Sequence, residues 1–286
     1  MPVDGELTFK VGLVSRLDEP RALEVARDIA RQLRKKGVGV VSELDLAKSG
    51  RLGGGVSLNE LRADLVVTVG GDGTVLKTAM TIPEQETPIL AVNMGRRGYL
   101  TEVDPSKAMA AINSFRKGNY VLEKRAKIAV DMNGSHIVDA LNELVVSSGS
   151  PAKMLDLRIG IDSQRLLAFR GDGVIVSTAT GSTAYAMSAG GPIVDSSVDA
   201  YVVTFICPLD FVRPTVLSMT RTLSIETANP KLKVLVVADG RFQRELLQDV
   251  KLRIRKSKHY TAFVRLSRQT PVGSLTKLHE LERASS

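Results

Sequence analysis

Tryptophan is absent from this 286-residue sequence, which also holds one cysteine and three histidines. Each shortage excludes something. The lone Cys207 rules out an intramolecular disulfide, and its place in the apolar run Val202–Cys207 reads as a buried structural thiol rather than a nucleophile. His136, His259 and His279 lie far apart, without HExxH or CxxC context, so the sequence offers no zinc site. Aromatic residues are only 4% of the chain, which leaves little for stacking on single-stranded nucleic acid. No apolar run nears the roughly 18 residues of a membrane span. The longest, such as Ala200–Pro208, are strand-sized. The opening MPVDGELTFK carries acids early and has no apolar signal core, so the expectation is a cytoplasmic protein with no membrane partner. Neither GxxxxGK[ST] nor GxGxxG occurs, which removes the signatures of P-loop kinases and simple dinucleotide dehydrogenases.

What is present is an ordinary globular composition, 43% hydrophobic and 24% charged, with a net charge of +8 that favours anionic ligands. The chain is organised around residues 65–81, LVVTVGGDGTVLKTAMT. Leu65 to Val69 reads as a buried strand, and Val75, Leu76, Ala79 and Met80 recur at helical spacing. Gly70-Gly71-Asp72-Gly73 is therefore a strand-to-helix turn. Glycine permits positive φ and leaves no Cβ, and the first helical N–H groups point at the turn, so phosphate can be cradled there. A carboxylate in such a cradle repels the ligand unless Asp72 takes a proton from an attacking hydroxyl. The same residues also fit a tight Asp-Gly turn with a solvated aspartate.

Strand and helix alternate through the first 115 or so residues. Lys10–Ser15 and Val38–Ser42 read as strands around an amphipathic helix, Arg21–Lys36, stopped by Gly37. Glu43–Leu58 is polar and holds Gly53-Gly54-Gly55, which reads as a flexible surface loop in preference to a ligand loop. Pro88–Asn93 is another strand, followed by the turn Gly95-Arg96-Arg97-Gly98, and Asp104-Pro105 opens a helix that runs to about Lys117. This order predicts an open, mostly parallel, Rossmann-like sheet with its ligand loops beyond the strand carboxyl ends. Arg97 there is either an anion holder or part of a solvated basic turn.

From Tyr120 the pattern turns to strands. Lys127–Met132 and His136–Val146 flank Asn133-Gly134, a strong hairpin signal, and further strands follow to Ala262–Leu266. The expected domains are an α/β unit over 1–118, with 269–286 packing back on it, and an all-β sandwich over 119–268. Lys251, Arg253 and Arg255 alternate with Leu252 and Ile254, as on the wet face of one strand. Asn142-Glu143 interrupts an apolar strand, where one of the two side chains must reach solvent or find a partner. Asn suits adenine, and a carboxylate suits ribose hydroxyls. Arg170–Gly191 places Asp172 between glycines, then a strand, then Thr178-Ala179-Thr180-Gly181-Ser182-Thr183 before a short helix, Ala184–Ala189. Small and hydroxyl side chains there admit a flat polar ligand, or simply cap the helix.

Taken together, GGDGT at 70–74, Asn142-Glu143 and the run from Asp172 through Thr183-Ala184-Tyr185 to Ile193 resemble the NAD kinases, in that family's order and over most of the chain. The turn from Gly95 to Glu102 is similar to the family's Gly-x-x-Gly-aromatic turn. The resemblance implies transfer of the γ-phosphoryl group of ATP, or of polyphosphate, to the 2′-hydroxyl of the adenosine ribose of NAD, with Mg²⁺ arriving on the nucleotide. It implies that Asp72 is the base and that the backbone of Gly71, Gly73 and Thr74 holds donor phosphates. It sets Tyr99 against adenine, Asn142, Thr183 and Ser188 on adenine, Glu143 on ribose, and Asp172 and Ala184 on the nicotinamide side. Tyr185 would reach a neighbouring subunit's site, so a homo-oligomer is implied. Leu209 stands where many members carry His, and Ala179 where Pro is usual. A lipid kinase shares GGDGT, but the hydroxyl-rich 178–188 run and Asn142-Glu143 speak against an apolar acceptor cleft. A non-catalytic basic protein that binds nucleotides or nucleic acid would give Asp72 no task.

Overall fold

The computed structural model describes residues 9–95, 98–228, 232–247 and 249–266. They form two compact units. One holds the described residues up to Lys124 and those from Thr261 onward, and the other is Arg125–Tyr260.

In the first unit the elements are β1 (Lys10–Ser15), α1 (Pro20–Lys35), β2 (Gly39–Glu43), α2 (Leu44–Gly50), β3 (Gly55–Val56), β4 (Leu65–Gly70), α3 (Asp72–Thr81), β5 (Ile89–Asn93) and α4 (Ala108–Arg116). The strands pair in parallel in the order β3-β2-β1-β4-β5, with β5 next to the last residues of the final strand of the chain. Parallel sheets bury both faces, which is why β4 reads as continuous Val and Leu and is buried at all six positions. Helix α1 starts at a proline, buries Ala22, Ala26, Ile29, Ala30 and Leu33, and is followed by Gly37 at φ 70°. Helix α4 is preceded by a 3₁₀ turn in which Asp104 accepts from the Ser106 N–H.

The stretch read as a flexible loop is structured. Helix α2 buries Leu46, Ala47 and Gly50, and Gly55 pairs with Ser42 in the sheet. A Cβ on Gly55 would lie 2.6 Å from the Ala47 Cβ and 2.9 Å from the Leu44 Cα, so the third glycine is there for packing. Polar residues on the outer side of so short a helix hid its apolar side.

In the second unit the strands are β6 (Val121–Met132, entering from the first unit), β7 (Ser135–Ala140), β8 (Glu143–Ser148), β9 (Leu155–Ile161), β10 (Gln164–Gly171), β11 (Gly173–Thr178), β12 (Ala200–Ile206), β13 (Thr215–Ser218), β14 (Leu223–Thr227), β15 (Val234–Ala238), β16 (Phe242–Leu246) and β17 (Lys251–Arg265), with a short helix α5 (Tyr185–Ser188). They make an antiparallel sandwich. One sheet runs β10-β9-β14-β17 and adds the β6–β7 hairpin, and the other runs β13-β12-β11-β8-β15-β16. Asn133 and Gly134 both take positive φ, 51° and 83°, as the hairpin signal required.

Three strand readings change. His136–Val146 is two strands, broken at Leu141-Asn142. The strands expected at Lys251–Arg255 and Ala262–Leu266 are one 15-residue strand, because pairing continues through the polar Lys256–Tyr260. Its Lys251 and Arg253 are exposed while Leu252 and Ile254 are buried. The short β13 and β16 are too exposed to carry an apolar signal. Cys207 is also exposed, just past the end of β12 at φ 44°, so it is not the buried thiol its apolar neighbours suggested. The helix expected near 273–282 lies outside the described residues.

Within the first unit, the end of β17 carries Arg265, only 4% exposed. Its Nε meets Glu123 at 2.6 Å, and its Nη1 meets Glu102 at 2.9 Å and the Leu100 carbonyl at 3.3 Å. Removing one partner of a buried ion pair strands the other charges. Arg265→Met is therefore expected to lower unfolding free energy by about 3 kcal/mol in urea titration, and a change below ~0.5 kcal/mol would show that the cluster contributes little.

Candidate active site

Asp72 opens α3 at the carboxyl end of β4. Its carboxylate faces the turn after β5. Oδ2 accepts from the Tyr99 N–H at 2.8 Å. Oδ1 accepts from the Leu100 and Thr101 N–H groups at 3.1 and 3.2 Å, and from the Thr101 hydroxyl at 3.3 Å. Oδ2 thus keeps a second lone-pair position. The loops close by contact. A Cβ on Gly98 would lie 1.8 Å from the Thr101 hydroxyl and 3.1 Å from Asp72 Oδ1, and one on Gly70 would lie 2.3 Å from the Thr74 hydroxyl. None of Gly70, Gly71 and Gly73 takes positive φ, so left-handed backbone does not select glycine here, and at Gly70 the missing Cβ admits Thr74. Space beside Gly71 is open, Thr74 is buried, and the Tyr99 ring is partly exposed. Gly71, Asp72, Gly73, Thr74 and Tyr99 therefore gather at one rim of the parallel sheet. Arg97 lies outside the described residues.

In the second unit, Asn142 sits in the break between β7 and β8, and Glu143 begins β8. On the carbonyl side, the Thr178 hydroxyl donates to Leu141 O at 2.7 Å and the Thr178 N–H to Asn142 O at 2.8 Å. Gly181 lies so close that a Cβ would be 2.1 Å from the Asn142 carbonyl oxygen. On the N–H side, Asp239 takes three successive donors. Leu141 reaches Oδ2 at 2.7 Å, and Asn142 and Glu143 reach Oδ1 at 2.8 and 3.0 Å. Sequence reading missed Asp239, which follows β15 at φ 48° and belongs to an Asp-Gly pair that looks like any turn. It also missed Lys127, fully buried in β6.

The electrostatics of this region are those of charges removed from water. Glu143 is 7% exposed, and its Oε2 has no hydrogen-bond partner. Burial, helped by the charge of Asp239 and opposed by the Tyr185 N–H, pushes its carboxyl up to about 7. Burial also pushes Asp239 above the ordinary carboxylate range, against the pull of its three N–H donors and Lys127. The Lys127 ammonium is pushed down to about 8 by burial, while Asp139 and Asp239 oppose that fall.

The remaining predicted residues lie along the turn after β11. Thr183 closes a 3₁₀ turn with its hydroxyl on Thr180 O, Ala184 is half-buried, and Ser188 ends α5 exposed. Tyr185, 46% exposed, lines a cleft of about 390 Å³ with Asp172, Lys153 and Ser147. The structure joins Tyr185 to Glu143 through its N–H and to Asp172 through the cleft.

Two matches to protein-family models cover most of the chain. Residues 11–120 match the ATP-NAD kinase N-terminal domain and 141–266 the ATP-NAD kinase C-terminal domain. The sequence is 38% identical over 263 residues to the NAD kinase of Methanothermobacter thermautotrophicus, covering 91% of this chain and 93% of that one. It is 40% identical over 262 residues to the NAD kinase of Methanoregula boonei, covering 91% and 95%. The crystal structure of an NAD kinase from Archaeoglobus fulgidus in complex with ATP aligns with a TM-score of 0.73 at 27% identity, over 94% of this chain and 99% of that one. Yeast NADH kinase complexed with NADH aligns at 0.86 and 23% identity, over 96% and 88%, a likeness of fold.

The raised carboxyl of Glu143 sets a pH dependence of stability. Between its ordinary 4.5 and about 7, the folded chain keeps a proton that the unfolded chain has released. Stability therefore falls as pH rises through that window, by up to about 3 kcal/mol, and levels off above it. Lys127 acts in the opposite sense between about 8 and 10.5, where the unfolded chain binds the extra proton and stability rises with pH. Urea titrations across pH are expected to show the first fall in the wild type and its loss in Glu143→Gln.

Proposed function

The chain belongs to the NAD kinase family and catalyses that family's phosphoryl transfer, and on this premise we propose which residues carry it. Asp72 takes the proton of the adenosine 2′-hydroxyl of NAD as that oxygen bonds the γ-phosphorus of ATP. The bond from that phosphorus to the bridging oxygen breaks, and ADP leaves. The donor phosphates are assigned to the backbone of Gly71, Gly73 and Thr74 at the start of α3, where the space beside Gly71 is open and the Thr74 N–H closes the first turn on the Gly71 carbonyl at 2.9 Å. Arg97 is proposed to support them. Bound Mg²⁺ supplies charge neutralisation at the phosphates, and we place it with the nucleotide. Among the described residues no three of His, Cys, Asp and Glu gather as a cage.

Glu143 is the observation that carries the acceptor assignment. A buried carboxylate oxygen without a partner is costly unless a ligand supplies one, and a ribose hydroxyl does so. Asn142, Tyr99, Thr183 and Ser188 are assigned to adenine, and Asp172 and Ala184 to the nicotinamide side. The exposed Tyr185 ring is assigned to a second copy of the chain, in a cytoplasmic homo-oligomer with no membrane or nucleic-acid partner. Among the described residues no helix is long and apolar enough to cross a membrane.

Purified protein with NAD, ATP and Mg²⁺ is expected to form NADP. Asp72→Asn is expected to lower kcat at least ~100-fold, with KM for NAD changed far less. Equal kcat in folded variant would remove Asp72 from the chemistry. Sedimentation velocity is expected to show a dimer or larger. A monomer at assay concentration would end the role given to Tyr185.

A further inference from the structure

Between β7 and β8 the chain leaves the sheet, and three successive N–H groups lose the strand partners they would otherwise have. One side chain collects all three. Asp239 also gives its own N–H to the Glu143 carbonyl at 3.0 Å, and its neighbour Ala238 pairs with Leu144 in the sheet. The peptide groups of Asn142 and Glu143 are thereby fixed from the N–H side by Asp239 and from the carbonyl side by Thr178 and Gly181.

We infer that Asp239 is a positioning residue for the reaction: its buried carboxylate sets the backbone from which Asn142 and Glu143 meet the nucleotide, with Lys127 as its counter-charge. The inference rests on the reading that those two residues hold the adenosine. Asp239 touches no substrate itself. The charged groups that act on it are Lys127 on β6 and Glu143 on β8, while Asp139 on β7, with His136 3.8 Å from it, acts on Lys127. Asparagine at 239 keeps one acceptor oxygen and turns an N–H₂ toward N–H donors, so the dipeptide must shift. A shift of this kind acts on NAD binding before it acts on chemistry at the phosphate.

The test is steady-state NADP formation by the full chain, comparing wild type, Asp239→Asn, Asn142→Ala, Glu143→Ala and the Asp239→Asn/Asn142→Ala double variant, with folding checked by circular dichroism. Asp239→Asn is expected to raise KM for NAD about tenfold with kcat within about threefold and KM for ATP unchanged. The double variant is expected to fall well short of additivity, since Asp239 acts in part through Asn142. A folded Asp239→Asn with wild-type KM for NAD, or full additivity in the double variant, overturns the inference. Unchanged KM for NAD in both Asn142→Ala and Glu143→Ala overturns instead the assignment of those residues. Should Asp239→Asn not fold, Asp239→Glu replaces it: the longer side chain displaces the dipeptide it holds, so KM for NAD is expected to rise several-fold with kcat little changed, and a folded Asp239→Glu with wild-type KM overturns the inference.

Discussion

A carboxylate that gathers three consecutive backbone N–H groups is the constraint on which each unit's functional loop depends. Asp72 does this for Tyr99, Leu100 and Thr101, and Asp239 for Leu141, Asn142 and Glu143. Three successive N–H groups make a concave anion site, and here the anion is built into the chain. The arrangement suits loops that must leave regular structure and still hold one conformation. The strand or helix that would have satisfied those donors is gone, and water cannot be relied on where the site is buried. A charged acceptor makes stronger bonds than a carbonyl would, and one side chain replaces three partners.

The two cases differ in what surrounds the charge. Asp72 stands at a helix N-terminus, where the dipole favours a negative charge. Asp239 has no such help and is almost wholly enclosed, so it needs Lys127, itself fully buried. The enclosed charge then acts on its neighbour. Glu143, next to the loop that Asp239 holds, is pushed toward its neutral form by burial and by that same charge. The device that orders the loop also tunes the side chain presented by it.

This explains what could be read from the sequence. The parallel and antiparallel halves were legible because periodicity is local: Leu65–Val69 reads as a buried strand whatever surrounds it, and Asn133-Gly134 reads as a hairpin. The residues assigned to the ligands were legible as candidates because the GGDGT, Asn-Glu and Thr-Gly-Ser-Thr-Ala-Tyr runs are each short and contiguous. The groups that hold them were not. Asp239 bonds residues 96 to 98 positions away, and Arg265 bonds Leu100 and Glu102 from 165 and 163 positions away. Nothing in VVADGR or AFVRL announces a partner on another strand. Helix α2 escaped for a different reason, since seven residues give too little periodicity to separate from a polar loop.

The role given to Asp72 follows from the same geometry and is narrower than its sequence position suggests. Oδ1 is occupied by three donors from Leu100 and Thr101, so a proton can be accepted without breaking the turn only at the second lone-pair position of Oδ2. In the proposed role the carboxylate has one usable direction, set by the loop it holds together. That direction is fixed before substrate arrives, because four donors from Tyr99, Leu100 and Thr101 already hold the carboxylate. A base aimed in advance saves reorganisation during proton transfer. It also means that no substitution at Asp72 removes proton acceptance alone. Asparagine takes away both the base and half of the clamp, and only a comparison of kcat with KM separates the two losses.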